Sequence, residues 1–276
     1  MLDSEEHKQM TGNVNPTKLD LVMWTLNGAA TLPLCLRSIE KAIPEEGVNQ
    51  KIIIDGGSTD DSKTIAEKFN WQVIDAERCG IQHQANQALK LVKTELFASF
   101  EQDVVINPSW YETILKHFED PNVAVAQGIR FCVNPTIRNI EKCAINNKQQ
   151  TYSSLDNTLC RTNIIKAVGG YNPKYVLSGD RDLQERVRQH GYKWIVDKSI
   201  ISDHLKTSIR RYAIDIRQHA MENCNYTKRK VGIFKLFQMF VLSPFRGITI
   251  ATKSRCPNAF FVYPYCRLQW LLGGMK

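Results

Sequence analysis

Carboxylates that fall where apolar runs stop are the residues of this chain best placed to do chemistry. Lys51-Ile52-Ile53-Ile54 ends at Asp55 and opens into Gly56-Gly57-Ser58-Thr59-Asp60-Asp61. Leu96-Phe97-Ala98-Ser99-Phe100 ends at Glu101-Gln102-Asp103. Each run reads as a short buried β-strand that delivers an acid from its carboxyl end. In an open α/β sheet, ligands bind in the crevice beyond those ends. Two such strands side by side would set Asp55 and Asp103 on the rim of one cleft. A carboxylate there accepts from a base N–H, holds a ribose, or ligates a hard divalent cation. Glu101 and Asp103 are two apart and share a face of an extended strand. Mg²⁺ or Mn²⁺ bridging diphosphate oxygens needs only one or two carboxylates. The pattern predicts a nucleoside-diphosphate site.

Each of these residues also has a plainer duty open to it. Asp55 can cap the turn at Gly56-Gly57. Asp60 suits a helix N-cap. Asp180 precedes a helical pattern with Leu183 and Val187 on one face, so it can be an N-cap or a general base presented at the cleft. His204 closes Ile200-Ile201-Ser202-Asp203 and can be a ligand or an ordinary histidine.

The elements that must position these groups alternate. Leu19–Trp24 reads as a first strand, followed by a helix carrying Leu32, Leu36 and Ile39. The isoleucine strand leads to a helix with Ile65, Ala66 and Phe69, starting within the cap-rich Ser58–Ser62 cluster. Trp71–Ile74 is a third strand; Gly80 precedes a helix from Gln82 to Leu91, which leads to the Leu96 strand. Further strands are expected at Val123–Gln127 and Lys193–Val196, with helices near Ser109–Phe118 and Asp182–His190. Strand and helix in alternation predict an α/β fold with a doubly wound, mostly parallel sheet flanked by helices.

A chain of 276 residues, 43% hydrophobic and 23% charged, is ordinary for a globular protein with one large core or two modest ones. Residues 1–17 are polar and expected to be a disordered tail without a signal peptide. Eight scattered cysteines with no C-x-x-C pair favour reduced thiols and a cytoplasmic setting. Charge is uneven: from Leu205 onward, thirteen Lys/Arg face only Asp215 and Glu222, a net +11 that leaves −3 for the preceding residues. There the alternation fades into two apolar segments, Val231–Leu242 and Ala259–Leu272, interrupted by Lys235, Pro244, Arg246, Pro264 and Arg267. Neither reaches the ~20 apolar residues of a spanning helix. They suit an anionic membrane interface, or equally a helical cap on the body. The expected organisation is thus a tail at 1–17, a catalytic domain at 18–205 and a basic, mainly helical amphipathic extension at 206–276. No nucleic-acid-binding motif is present, so nucleic acid is not an expected partner.

Taken in order and spacing, the region from Lys18 to His204 resembles the family 2 glycosyltransferases with the GT-A fold. The resemblance rests on Thr25-Leu26-Asn27 and on Ile54-Asp55-Gly56-Gly57-Ser58-Thr59-Asp60, similar to the family's D-(D/G)-G-S-T-D motif. It rests further on Gly80-Ile81-Gln82-His83-Gln84-Ala85-Asn86, similar to G-x-x-x-A-x-N, and on Cys160-Arg161-Thr162, Val168-Gly169-Gly170-Tyr171 and Gly179-Asp180-Arg181-Asp182-Leu183, similar to the acceptor-side block and the "ED" helix. It implies Asp55 on the base, with Thr25, Asn27, Gly57, Asp60, Gly80, Asn86 and Gln102 around the nucleotide. It implies Asp103 and His204, with Glu101, as ligands of Mg²⁺ or Mn²⁺. Asp180 would be the catalytic base, and Gly169, Gly170, Tyr171 and Asp182 would lie on the acceptor side. Two positions depart from the pattern: D-x-D is Glu-x-Asp here, and the acid usually preceding the "ED" aspartate is Gly179. No Q-x-x-R-W block follows, which favours single-sugar addition over polymerisation.

The implied activity is transfer of one sugar, with inversion, from a nucleotide-diphosphate sugar (UDP-linked by expectation) to a hydroxyl of a lipid-linked or cell-surface glycan, on the cytoplasmic face of a membrane. The rivals are a sugar nucleotidyltransferase and an inactive nucleotide-sugar-binding module. Against the first, Thr25–Ala30 offers one glycine and no cation where such enzymes carry a Gly-rich basic loop. Against the second stands the retention of Asp103, Asp180 and His204.

Overall fold

The structure is a computed structural model that describes residues 18–146, 153–227 and 233–274. The expected tail at 1–17 and Val231-Gly232 of the first apolar segment lie outside the described residues. In chain order the elements are β1 (Leu19–Thr25), α1 (Leu32–Ala42), β2 (Val48–Asp55), α2 (Ser62–Lys68), β3 (Gln72–Asp75), α3 (Ile81–Leu91), β4 (Leu96–Glu101) and β5 (Val104–Val105). They continue with α4 (Trp110–Leu115), β6 (Val123–Cys132), α5 (Pro135–Asn146), β7 (Asn157–Arg161), α6 (Thr162–Ala167), α7 (Gly179–Gln189) and β8 (Lys193–His204). Four helices close the described chain: α8 (Ile209–Thr227), α9 (Ile233–Val241), α10 (Ser243–Lys253) and α11 (Ala259–Gly274).

One eight-stranded sheet runs β3-β2-β1-β4-β7-β6-β8-β5. Only β7 and β5 pair antiparallel with their neighbours, so the sheet is mostly parallel, as expected. β1 is buried at all seven residues, which is why its apolar run is nearly unbroken. Helices cover both faces, and two apolar clusters result. One packs Leu21, Met23, Ile53 and Phe100 against Leu36, Ile39 and Trp110. The other packs Val22, Ile52, Ile54 and Phe97 against Ala85, Ala88 and Leu183. Alternate residues of β1, β2 and β4 thus feed opposite layers.

Several expectations are corrected. β2 and β4 are not adjacent: β1 lies between them, aligned Thr25 to Asp55 and Trp24 to Glu101. The chain turns after Glu101, so Asp103 is not on the same strand face. β8 runs on from Lys193 to His204 as a single strand, and β5, β7 and α5 were not anticipated. α11 passes through Pro264 without a break. The carbonyl of Phe260, four residues back, has no Pro264 N–H to accept from. Gly247 of α10 lies against it: a Cβ on that glycine would stand 2.9 Å from the carbonyl oxygen. Cys35, Cys132, Cys160 and Cys266 are buried thiols, each pushed up to about 12 chiefly by burial.

Candidate active site

The carboxyl ends of β2, β1 and β4 form one edge, and polar side chains pin it. Asp55 is fully buried. Its Oδ2 accepts the N–H groups of Gly57 (3.0 Å) and Ser58 (2.9 Å), closing a turn in which Gly57 has φ +95°. That conformation favours glycine. Its Oδ1 is buried without a partner, an uncommon state for a carboxylate oxygen. The turn role and a free acceptor therefore coexist in one residue. Lys63 Nζ approaches Oδ2 at 3.6 Å.

The Thr25-Leu26-Asn27 ending of β1 is held from both sides. Gln102 accepts the Leu26 N–H (2.9 Å) and the Thr25 hydroxyl through Oε1, and returns Nε2 to the Leu26 carbonyl (3.2 Å). Asn27, at φ +51°, accepts the Thr59 N–H (2.9 Å), while its own N–H donates to Ser58 Oγ (2.8 Å). Asp60 is not the N-cap of α2; Asp61 occupies that position. Asp60 accepts instead from Ser62 and, at 3.0 Å, from the Ala29 N–H. Gln84 of α3, which begins after Gly80 at φ +113°, reaches the Ile54 (3.0 Å) and Thr25 (3.3 Å) carbonyls.

Across the edge, antiparallel pairing of β5 with β8 aligns Val104 with His204. Asp103 Oδ2 then lies 3.0 Å from His204 Nε2, and Arg130 of β6 lies 2.7 Å from His204 Nδ1. A guanidinium can only donate, so Nδ1 accepts and Nε2 carries the hydrogen toward Asp103. Burial and the Arg130 charge lower the His204 pKa, keeping it neutral. Burial alone would raise Asp103. The His204 hydrogen bond with the Arg130 and Lys206 charges outweighs burial and holds the carboxyl below its ordinary range. Glu101 is pushed up to about 7 by burial, then by the Asp103 charge, with Asp180 adding to the effect. Asp180, in the first turn of α7 behind the N-cap Ser178, is raised to about 6 by burial. Asp103, Glu101, Asp180, His204 and Arg130 thus share one neighbourhood.

Five of the expected site residues are engaged in packing or in local bonds. Tyr171 is core: its ring is buried and meets Trp24 edge-on at 6.5 Å. Asn86 spends its amide on the Tyr171 backbone, accepting its N–H at 2.8 Å and donating to its carbonyl. Gly169 and Gly170 take φ +90° and +64° in the turn before it, and a Cβ on Gly170 would stand 2.6 Å from Asn86 Oδ1. Asp182 pairs within α7 with Arg186 at 2.7 Å. At the departure noted above, a Cβ on Gly179 would overlap the Gln82 side chain. No acid fits there without displacing Gln82.

Residues 20–171 match the family described as Glycosyl transferase family 2. The chain belongs to that family. An uncharacterized protein of Mycobacterium tuberculosis (strain CDC 1551 / Oshkosh) is 30% identical over 121 residues, covering 41% of this chain and 37% of that relative. A Pyrobaculum calidifontis mannosyltransferase, solved with GDP-Man and Mn²⁺, superposes with TM-score 0.66 at 12% identity, covering 95% of this chain and 87% of the other. Glucosyl-3-phosphoglycerate synthase of Mycobacterium tuberculosis, solved with Mn²⁺, UDP and glucosyl-3-phosphoglycerate, gives 0.56 at 14% identity over 76% of this chain and 79% of the other. S. aureus TarS gives 0.55 at 16% over 83% and 43%. Each shares the GT-A fold.

This family 2 site also holds residues that sequence reasoning did not select. Arg130 bonds Asp156 through Nε as well as His204. Lys206, two residues past His204, pairs with Asp215 of α8. A charged residue inside the apolar run of β6 was the one available signal for Arg130.

Proposed function

We propose that this family 2 enzyme transfers a single hexosyl unit, with inversion, from a UDP-linked sugar to an acceptor hydroxyl of a lipid-linked or cell-surface glycan. The carrying observation is the meeting of the Asp103–His204 pair with Asp180, whose carboxyl is raised to about 6, at one sheet edge. Asp55 Oδ1, buried and unpartnered, supports a base N–H as its partner. An ionised carboxylate beside a neutral imidazole suits Mg²⁺ or Mn²⁺ in chemistry. Among the described residues no three His, Cys, Asp or Glu converge on a metal centre, which fits a cation completed by diphosphate and water. Asp103 and His204 would hold it, Glu101 standing nearby. Engaging Nε2 would require the imidazole hydrogen to move to Nδ1 and Arg130 to withdraw. Bound there, the cation supplies neutralisation of the diphosphate leaving group. Asp180, ionised at neutral pH, takes the acceptor hydroxyl proton as that oxygen attacks from the opposite face.

We further propose a peripheral position on the cytoplasmic face of a membrane. No described helix is long and apolar enough to cross one. Exposed apolar residues recur at helical spacing: Phe237 and Val241 on α9, Phe245 and Ile248 on α10, Phe261 and Tyr265 on α11. Residues 223–276 carry nine Lys/Arg and no Asp or Glu, which supports an anionic lipid surface at about 1 kcal/mol per nearby cation.

A donor screen over nucleotide sugars with Mn²⁺, reading released nucleoside diphosphate, tests the activity; no release from any donor would refute it. Flotation with anionic vesicles tests the placement. Recovery should weaken with salt without vanishing, because apolar burial is not screened. Equal recovery with neutral vesicles removes the electrostatic part, and no flotation makes the extension a cap.

A further inference from the structure

The extension contains two acids, and one of them reaches into the catalytic body. Asp215 takes Lys206, just beyond His204. Glu222, seven residues and about two helical turns further along the same helix face, takes a different target. Its Oε2 accepts the Leu177 N–H at 2.6 Å and its Oε1 the Ser178 N–H at 3.1 Å. These amides immediately precede the first turn of α7, where no intrahelical acceptor exists for them. A carboxylate there also complements the positive end of the α7 dipole.

The segment so held is the one that presents Asp180. From the opposite side, Gln82 of α3 donates to the Val176 carbonyl at 3.4 Å. Its side chain fills the space where Gly179 lacks a Cβ. Residues 176–179 are thus contacted by both α3 and α8. Burial, then the Arg130 charge, lowers the pKa of His219, which lies between Asp215 and Glu222 on α8.

We propose that Glu222 is a positioning residue for transfer, clasping the two amides ahead of α7 so that Asp180 is held at the cleft. The proposal deepens the reading of Asp180 as base and rests on it. It also makes α8 part of the working site, so a boundary near residue 205 does not separate catalysis from the extension.

The test uses the full chain with Glu222→Ala and the near-isosteric Glu222→Gln. Hydrogen exchange at Leu177 and Ser178 should quicken roughly 10- to 150-fold in Glu222→Ala, because each amide loses one charge-assisted bond. Glu222→Gln keeps one acceptor oxygen and should fall between. Affinity for UDP with Mn²⁺ should stay within about twofold of wild type, while kcat, read as released nucleoside diphosphate, falls about tenfold at unchanged donor KM. Unchanged exchange at the two amides in both variants overturns the clasp. Faster exchange with unchanged kcat overturns the positioning role. Asp180→Asn run alongside separates the two readings: full turnover in that variant overturns the base assignment and the link to turnover, while exchange still decides the clasp.

Discussion

Replacing Asp55 by Asn probes a buried carboxylate oxygen that has no hydrogen-bond partner. The carboxylate spends Oδ2 on two backbone amides at 3.0 and 2.9 Å and leaves Oδ1 buried and bare. The Asn carbonyl oxygen can take over the Oδ2 bonds, so the turn should survive. The amide nitrogen then takes the Oδ1 position and offers hydrogens where the carboxylate offered a lone pair. A base that presents a ring N–H there, as uracil and guanine do, loses a charge-assisted bond and meets a donor instead. Such a bond is worth about 1.5–3 kcal/mol, so at 1.4 kcal/mol per decade UDP affinity should fall roughly 10- to 150-fold. The Lys63 contact adds little, since that ammonium is largely solvated. Calorimetry of UDP with Mn²⁺ measures the loss, and the melting temperature reports whether the turn held. In the wild type, CDP and ADP, which present a bare ring nitrogen, should bind more weakly than UDP or GDP. Unchanged UDP affinity in a well-folded Asp55→Asn protein would refute the base contact.

Asp103→Asn keeps shape but loses the charge that holds a cation, so metal-dependent turnover should vanish; wild-type turnover would sink the assignment. Asp180 must be ionised to act as a base, and burial raises it to about 6. Turnover should therefore fall as pH drops through that value, by about tenfold one unit below it. Asp180→Asn should spare UDP binding, cut turnover by roughly 10²–10⁴ and abolish that acidic limb. A collapse of UDP affinity instead would make it a structural residue. Arg130→Met removes both a cation and the donor on His204 Nδ1. Mn²⁺ affinity without nucleotide should rise about 2- to 12-fold, the worth of one hydrogen bond, and a fall by titration calorimetry would contradict the geometry. Gly179→Ala should cost about 1–3 kcal/mol in urea unfolding by crowding Gln82, with Gln82→Ala recovering part of the loss.

The parts of the fold legible in the sequence are those where one period dominates. β1, β4 and the second half of β2 are nearly unbroken apolar runs because both sheet faces are covered there, and each ends where its acid or hydroxyl reaches the edge. β7 was not legible because Asn157-Thr158 opens it with polar residues. Both are buried, Thr158 against Ser99 Oγ at 2.6 Å and the Asn157 carbonyl accepting from Trp110 Nε1 at 3.0 Å. A two-residue strand such as β5 leaves no pattern at all. Within the site, the carboxylates could be selected because a charged group at a strand end has few explanations. Arg130 and Glu222 could not, because their meaning lies in partners 74 and 44–45 residues away. Tyr171 and Asn86 looked functional by position, yet their hydrogen bonds and burial are spent on each other and the core.

The proposed donor and acceptor halves of the site are built with different means. The donor half rests on strand ends locked by amides: Gln84 joins β1 to β2 through their carbonyls, and Gln102 joins the β4 end to Leu26. Its groups are held close to where the sheet already puts them, so little ordering remains when a nucleotide arrives. The acceptor half has no such frame. Asp180 sits behind the segment at residues 172–178, which carries no regular structure, and its position depends on Gln82 from one side and Glu222 from the other. Groups that must act within a few tenths of an ångström need their supports as much as their chemistry. In this chain one of those supports comes from α8, in the basic extension whose sequence suits membrane contact and a helical cap equally.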